Sequence, residues 1–404
     1  MPYEDASAGR LLARLRDVAA EAAAGAVERD RERRYDTALF DRLREIGFWA
    51  LTVPVRYDGP GHRHDVLVQA VMTLAAADAS IGQIPQNHFN SVERLAIWGS
   101  PRQRSAYLRR VAAGAFFGNA TAEPGERPPG ESATTLTRTD AGWSLTGRKV
   151  YATGALFADF VSVQAVDADG APAAVLVPRG APGMAVADDW RSFGQRTTAS
   201  GTATFDGVAV DDLAVLRTPA DPRPVYRVSG QSQLIHAAID VGIAEGALAE
   251  ARVLAGRAHG ARGSGAARFA EDALGVAALG ELRVATTAAR RVVESAADRL
   301  ARLGPASALD DVLDVFYEVV TAKVVSTRAA LQATAGLFDV GGSSATHPSL
   351  GLDRYWRDAR THTLHDAVRW KPHSVGAWLA DGRVADPWSL GAPLRPIDEL
   401  REAT

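Results

Sequence analysis

The chain is predicted to fold as three lobes in series: an N-terminal α-helical lobe, a central antiparallel β-barrel lobe and a C-terminal four-helix bundle. Two observations predict this. Apolar residues recur with a helical period at both ends of the chain and with a period of two between them. At 404 residues the chain is also too long for one ordinary core. The boundaries read at residues 1–115, 116–222 and 223–404.

In the first lobe, Leu11, Leu12, Leu15 and Val18 fall on one helical face, and Leu39, Phe40, Leu43 and Ile46 on another. Asp36 is placed to cap the second of these helices and Gly47 to end it. Val66, Ala70, Val71 and Leu74 repeat the spacing, and the helix after them ends near Ser80. Ser100-Pro101-Arg102-Gln103 has the form of a capping box, so a further helix starts there. In the second lobe, Thr134–Arg138, Trp143–Tyr151, Val161–Val166, Ala173–Val177 and Thr202–Val210 alternate as strands. Asp167–Gly170 joins two of them as a hairpin, and Arg127–Gly130 reads as a short loop. In the third lobe, Leu234–His259, Ala266–Leu303 and Ala306–Val340 are long helical runs, which suit a bundle. Their Ala-rich faces permit close packing between helices or subunits, and a homotetramer is expected.

Composition narrows the chemistry. The formal net charge is −3 with acidic and basic residues nearly balanced, which offers nothing to nucleic acid or an anionic membrane. Cysteine is absent, so thiolate metal sites, disulfides and Cys nucleophiles are excluded. No window approaches the ~18 apolar residues of a membrane span, and the N-terminal stretch has no apolar signal core. A cytoplasmic protein is expected. No G-x-G-x-x-G follows a strand, so no nicotinamide-binding fold is evident.

Specific segments then carry a resemblance. Phe117-Gly-Asn-Ala-Thr-Ala-Glu-Pro124, Gly147-Arg-Lys-Val-Tyr-Ala-Thr-Gly154 and Gly201-Thr-Ala-Thr-Phe-Asp-Gly-Val208 resemble three segments of the acyl-CoA dehydrogenase superfamily. Leu352–Asp366, ending Arg360-Thr-His-Thr-Leu-His-Asp366, is similar to the dibenzothiophene monooxygenase branch of that superfamily. The Y-E-G-T ending of true dehydrogenases, whose Glu removes the α-proton, is missing. The resemblance implies a two-component flavin monooxygenase. It would take reduced FMN from a separate reductase and use O2, through a hydroperoxide at flavin carbon C4a, to oxygenate a small organic substrate of the sulfur-containing or natural-product kind. FAD is the alternative cofactor, with an acyl-CoA dehydrogenase-like activity and Asp366 as its base.

The resemblance also implies site residues, each with a plainer reading beside it. His362 and His365, three apart, share a helical face, and the family's histidines there lie at the flavin–oxygen site. His365 is preferred as the peroxide partner; spacing alone also fits a helix end with one histidine packed and one solvated. His88, in a polar segment, is implied in the substrate pocket, or is a turn residue. Tyr151, Thr153 and Gly154 belong to the flavin-contact strand, where Thr153 donates to the ring and Gly154 admits close approach. Asn119 is a donor to the ring or peroxide, or a turn residue. Trp190 walls the flavin or packs in the core; Arg196 meets the flavin phosphate or a neighbouring subunit, or forms a surface ion pair. Gly341 and Gly342 offer backbone donors to a phosphate, or simply end a helix. Lys371 follows at the family's usual position. Two further readings stand: a metal held by His88, His362 and His365, for which Asp366 lies too far round the helix, and a non-catalytic helical scaffold.

Overall fold

A computed structural model describes residues 6–125, 132–389 and 393–402; the Arg127–Gly130 loop lies outside them. The first lobe comprises α1 (Ala6–Glu32), α2 (Thr37–Glu45), α3 (His64–Ala77), α4 (Ala79–Gln83), α5 (Pro85–Trp98) and α6 (Pro101–Ala112). The α6 capping box forms in full, with Ser100 accepting from the Gln103 amide and Gln103 from the Ser100 amide. Asp36 stands before α2 but caps nothing. Its carboxylate turns instead toward the buried Arg29 guanidinium at 3.5 Å, because a buried cation needs counter-charge more than a helix needs one cap. The polar segment around His88 is helix α5, not a turn.

The central lobe holds β1 (Phe117–Ala120), β2 (Thr135–Thr139), β3 (Gly142–Ala152), β4 (Phe160–Asp167), β5 (Pro172–Pro178), β6 (Met184–Val186), β7 (Gly201–Val210) and β8 (Val215–Arg217). The order is β6-β7-β3-β2-β4-β5-β8, with β1 also against β4. Most neighbours are antiparallel, but β1–β4 and β2–β4 pair in parallel. Alternation marks which face of a strand is buried and says nothing of its direction, so this detail was not readable. The apolar face gathers Leu145, Val161, Val163, Val175 and Val177, all shut off from water, each contributing about 1.5–3 kcal/mol by transfer.

The third lobe is built on α7 (Pro222–Ala255), α8 (Ala273–Arg302) and α9 (Leu309–Gly341), followed by the short α10 (Asp353–His362) and α11 (Lys371–Asp381). α7 starts well before Leu234, where Asp221 accepts from the Arg223 amide and Pro222 takes the first helical position. Among the described residues no fourth long helix follows α9; α10 and α11 pack against it in succession. Gly242 and Gly246 of α7 let it press on α3, since a Cβ there would meet the Met72 and Ala76 carbonyls within 2.6 Å.

One connection positions the site. The loop from Trp190 to Ser200 leaves the sheet and lies against α10. The Gln195 amide donates to Asp358 at 2.5 Å, and a Cβ on Gly194 would collide with the Arg357 carbonyl.

Candidate active site

On α7, Gln233, His236 and Asp240 are spaced three and four apart, so they share one face. α10 runs across that face and ends at His362, after which a turn carries His365 and Asp366. Asp240 lies at the bottom, wholly buried. Its Oδ2 accepts from Lys323 Nζ at 2.6 Å, Thr327 Oγ1 at 2.8 Å and Ser326 Oγ at 3.3 Å, all from α9. Its Oδ1 lies 2.6 Å from His362 Nδ1. His362 Nε2 in turn lies 3.0 Å from His236 Nδ1. The His365 ring stacks on His236 with centroids 3.6 Å apart and planes 20° from parallel. His365 Nδ1 faces the His362 carbonyl at 3.1 Å. Asp366 Oδ2 accepts from Lys371 Nζ at 2.6 Å and Gln233 Nε2 at 3.0 Å, and lies 3.4 Å from His365 Nε2.

The electrostatics follow from burial. Burial alone would raise the Asp240 carboxyl, but Lys323 and His362 more than offset it and hold it ionised below the usual range. Burial pushes His362 down, against the pull of Asp240. It pushes His236 down further, helped by His365, His362, Lys323 and Lys371. His365 also shifts down, first because its ring is packed in; its side chain keeps 24% of its surface open and so retains part of its hydration. Asp366, which burial would raise, is held low by His365 and Lys371. Burial thus disfavours charge on all three imidazoles, while the carboxylates of Asp240 and Asp366 on either side are favoured as ions. Asp366 Oδ1 and Gln233 Oε1 are buried acceptors without a hydrogen-bond partner among the described residues.

A second candidate region lies on the sheet. A cleft of about 480 Å³ is lined by Glu123, Val150, Tyr151, Trp190, Ser200 and Thr202, among others. Tyr151, 60% exposed and with a left-handed backbone (φ 54°), meets Trp190 edge to face at 5.9 Å. Both therefore line this cleft. Thr153 hydrogen-bonds Ser200 Oγ at 2.8 Å, and Ser200 bonds Thr198 Oγ1 at 2.7 Å. Thr198 Oγ1 and Trp190 Nε1 both donate to the Gln195 carbonyl, so a ladder of hydroxyls links Thr153 to the loop that braces α10. The Thr153 amide donates to the Tyr151 carbonyl and that of Gly154 to the Thr198 carbonyl. Because Thr198 gives its hydroxyl hydrogen to Gln195, Ser200 donates to Thr198 and Thr153 to Ser200, leaving Thr153 only an acceptor lone pair. Asn119 donates its amide to the Thr153 carbonyl, and its side chain accepts from Thr121.

Several sequence-derived residues fall elsewhere. His88 is fully buried in the first lobe, where one ring nitrogen meets the Trp49 carbonyl at 2.7 Å and the other accepts from the Phe117 amide at 3.1 Å. It is a joint between α5, β1 and the chain after α2, with no nitrogen to spare for a substrate. Arg196 donates to the Asp30 carbonyl at 2.7 Å, an intrachain tie to the end of α1. Gly341 and Gly342 terminate α9, and a helix C-terminus presents carbonyls rather than phosphate donors. The histidine trio is His236, His362 and His365, not one containing His88. The near-parallel planes of His236 and His365 do not meet nearby, so their in-plane lone pairs cannot converge on one ion at the ~2.0–2.1 Å a zinc needs.

His236, Asp240 and Lys323 were missed by sequence reasoning. Their signal was present: polar residues at helical spacing in the otherwise apolar runs Leu234–Ile243 and Val319–Val325 mark a buried polar stripe.

Comparison with known proteins agrees with this architecture. Three domain models match: acyl-CoA dehydrogenase N-terminal domain over residues 8–115, middle domain over 119–208 and C-terminal domain over 234–370. A dibenzothiophene monooxygenase from Rhodococcus qingshengii is 31% identical over 400 residues, covering 95% of this chain and 96% of that protein. A probable FMNH2-dependent monooxygenase, SfnC, from Pseudomonas putida is 34% identical, covering 93% and 96%. The crystal structure of FMN-bound TdsC from Paenibacillus sp. A11-2 superposes with a TM-score of 0.89 at 30% identity, over 94% of this chain and 99% of that one. The chain belongs to the acyl-CoA dehydrogenase family, on its dibenzothiophene monooxygenase-like branch.

Proposed function

We propose that the protein is a flavin-dependent monooxygenase that takes reduced FMN from a separate reductase and uses O2 to oxygenate a small organic substrate, a sulfur compound first among candidates. The observation that carries this reading is the cluster of three buried or half-buried imidazoles on α7, α10 and the turn after α10, tied to the aromatic cleft of the sheet through the Trp190–Ser200 loop. The relatives named for FMN and for monooxygenation span nearly the whole chain, which supports the same reading. A cytoplasmic homotetramer is part of the proposal; among the described residues no helix is long and apolar enough to cross a membrane.

The residues fit a flavin. Tyr151 and Trp190 offer apolar walls, Thr153 and Ser200 hydroxyls lie beside them, and the orphaned Asp366 Oδ1 and Gln233 Oε1 await donors. Reduced flavin bound there supplies two electrons to O2, so that one oxygen atom enters the substrate and the other leaves as water. The chain contributes the rest. Tyr151 and Trp190 orient the ring and exclude water. Thr153 stands at the ring edge with Asn119 behind it; its one hydroxyl hydrogen goes to Ser200, so it serves there as an acceptor and a wall rather than as the expected donor. His365, the most open imidazole of the three, holds or moves the proton at its ring nitrogen.

A dehydrogenase using FAD would need Asp366 as base. A carboxylate held low by Lys371 and His365 is a weak base, which counts against that use. The test supplies a flavin reductase, FMN, isotopically labelled O2 and dibenzothiophene or a short-chain sulfinate. One labelled oxygen atom per product molecule is expected. Acyl-CoA oxidation with FAD and an electron acceptor, without label incorporation, would overturn the proposal.

A further inference from the structure

We infer that His236 is a further proton-handling residue of this site, the outward end of a chain Lys323–Asp240–His362–His236 that fixes which of its ring nitrogens is bare. The inference rests on the monooxygenase reading above. The tautomers follow in sequence. Asp240 accepts only, so His362 Nδ1 carries the hydrogen. A neutral His362 then has a bare Nε2, and the hydrogen between the two rings must sit on His236 Nδ1. His236 is left with an unprotonated Nε2. That atom has no hydrogen-bond partner among the described residues, and it is not among the polar atoms sealed from solvent. Its ring, itself 6% exposed, stacks on His365, whose side chain keeps 24% of its surface open.

The groups facing this pair come from every element around it: Asp240 of α7, Lys323 of α9, His362 of α10, His365 and Asp366 of the following turn, and Lys371 of α11. A proton taken up at His236 Nε2 leaves an imidazolium whose charge is shared through His362 toward Asp240. Lys323 keeps that carboxylate ionised, so the proton stays on the imidazoles and returns from Nε2. The bare Nε2 would take one of the two protons that reduced flavin gives up on oxidation and pass it to the oxygen atom that leaves as water, so the ring must be unprotonated at the start of each turnover and ends as it began.

Two readouts test the role. The first is NMR of nitrogen-labelled histidine in the flavin-free protein: His236 is expected with hydrogen on Nδ1 and a bare Nε2. The second compares His236→Asn with His236→Gln. Asparagine places an amide donor where Nδ1 was, so it keeps the bond to His362 and the fold while removing the basic nitrogen. It is expected to lower turnover tenfold or more at unchanged KM and to abolish the acid limb of the pH profile. His236→Gln is expected to lose the same activity and also release the His362 tautomer, seen by NMR. A protonated Nε2 in the wild-type spectrum, or wild-type turnover and pH profile in His236→Asn, would overturn the assignment. If the wild type forms no oxygenated product while the spectrum shows the expected tautomer, the monooxygenase reading and the catalytic role fail together, and only the hydrogen-bond chain stands.

Discussion

Asp240 accepts a 2.6 Å hydrogen bond from His362 Nδ1 while both side chains are fully withdrawn from solvent. The charge of a carboxylate at the centre of a helical lobe is balanced chiefly by Lys323 on its other oxygen, also fully buried, with Thr327 and Ser326 as further donors. Removing a single partner should therefore cost more than the pair is worth. Asp240→Asn keeps an acceptor for His362 but strands the Lys323 ammonium, and breaking such a pair costs roughly 3–5 kcal/mol. Urea unfolding should show that loss. Adding Lys323→Met to Asp240→Asn should recover a large part of it, and failure to recover would mean that the pair is not the source of the cost.

His362 and His365 should separate in their effects. His362→Ala empties a buried position and leaves Asp240 and His236 each short of a partner, costing about 1–3 kcal/mol for each unsatisfied group. His365→Ala removes a ring that stands partly in solvent, so its stability cost should be small. Both should lower oxygenation on the order of 10²–10⁴-fold. Thermal melts beside product assays would reveal the split; equal melting losses would mean that His365 is as structural as His362.

The aromatic walls of the cleft can be tested without any substrate. Trp190→Ala and Tyr151→Ala should each weaken binding of reduced FMN, by about 0.5–1.5 kcal/mol beyond lost area for an aromatic partner. Trp190→Ala should be the worse, because its indole N–H also ties down the Gln195 carbonyl that receives Thr198. Anaerobic titration with reduced FMN would measure this. Unchanged affinity in both variants would move the flavin away from this cleft.

These expectations also mark how far the sequence could be read. The shift of apolar period announced the three lobes, and the Ser100–Gln103 box formed as its residues required. Strand direction in the sheet was invisible, because alternation carries no sign of direction. The start of α7 was placed late because its first turns carry too few apolar residues to show a period, although Asp221-Pro222 announced them. In the site, His362 and His365 stood out because a local motif holds both. His236 and Lys323 come from distant helices and join the cluster only through packing. His88 misled for the opposite reason: its neighbours in sequence are polar, while its ring bonds are to Trp49 and Phe117 backbone atoms that sequence proximity does not reveal.

Stability against pH should be set by two opposed sets of groups. Burial lowers His236 and His362, so the unfolded chain binds protons below about pH 6.5 that the native protein refuses. Their contribution is complete above that pH and is lost as the pH falls. Asp358 works in the other sense. Burial raises it from an ordinary 3.8 to about 7, with Asp30 and Asp78 adding to the rise and the Gln195 amide opposing it. The native protein then keeps a proton that the unfolded chain releases, and stability is lost as pH rises from about 4 to 7. Asp358→Asn retains an acceptor for the Gln195 amide and removes that loss. Relative to wild type, it should gain on the order of a few kcal/mol between pH 4 and pH 8. Urea midpoints across that range would measure the gain, and a pH-independent difference between the two proteins would mean that Asp358 is ionised in the native state.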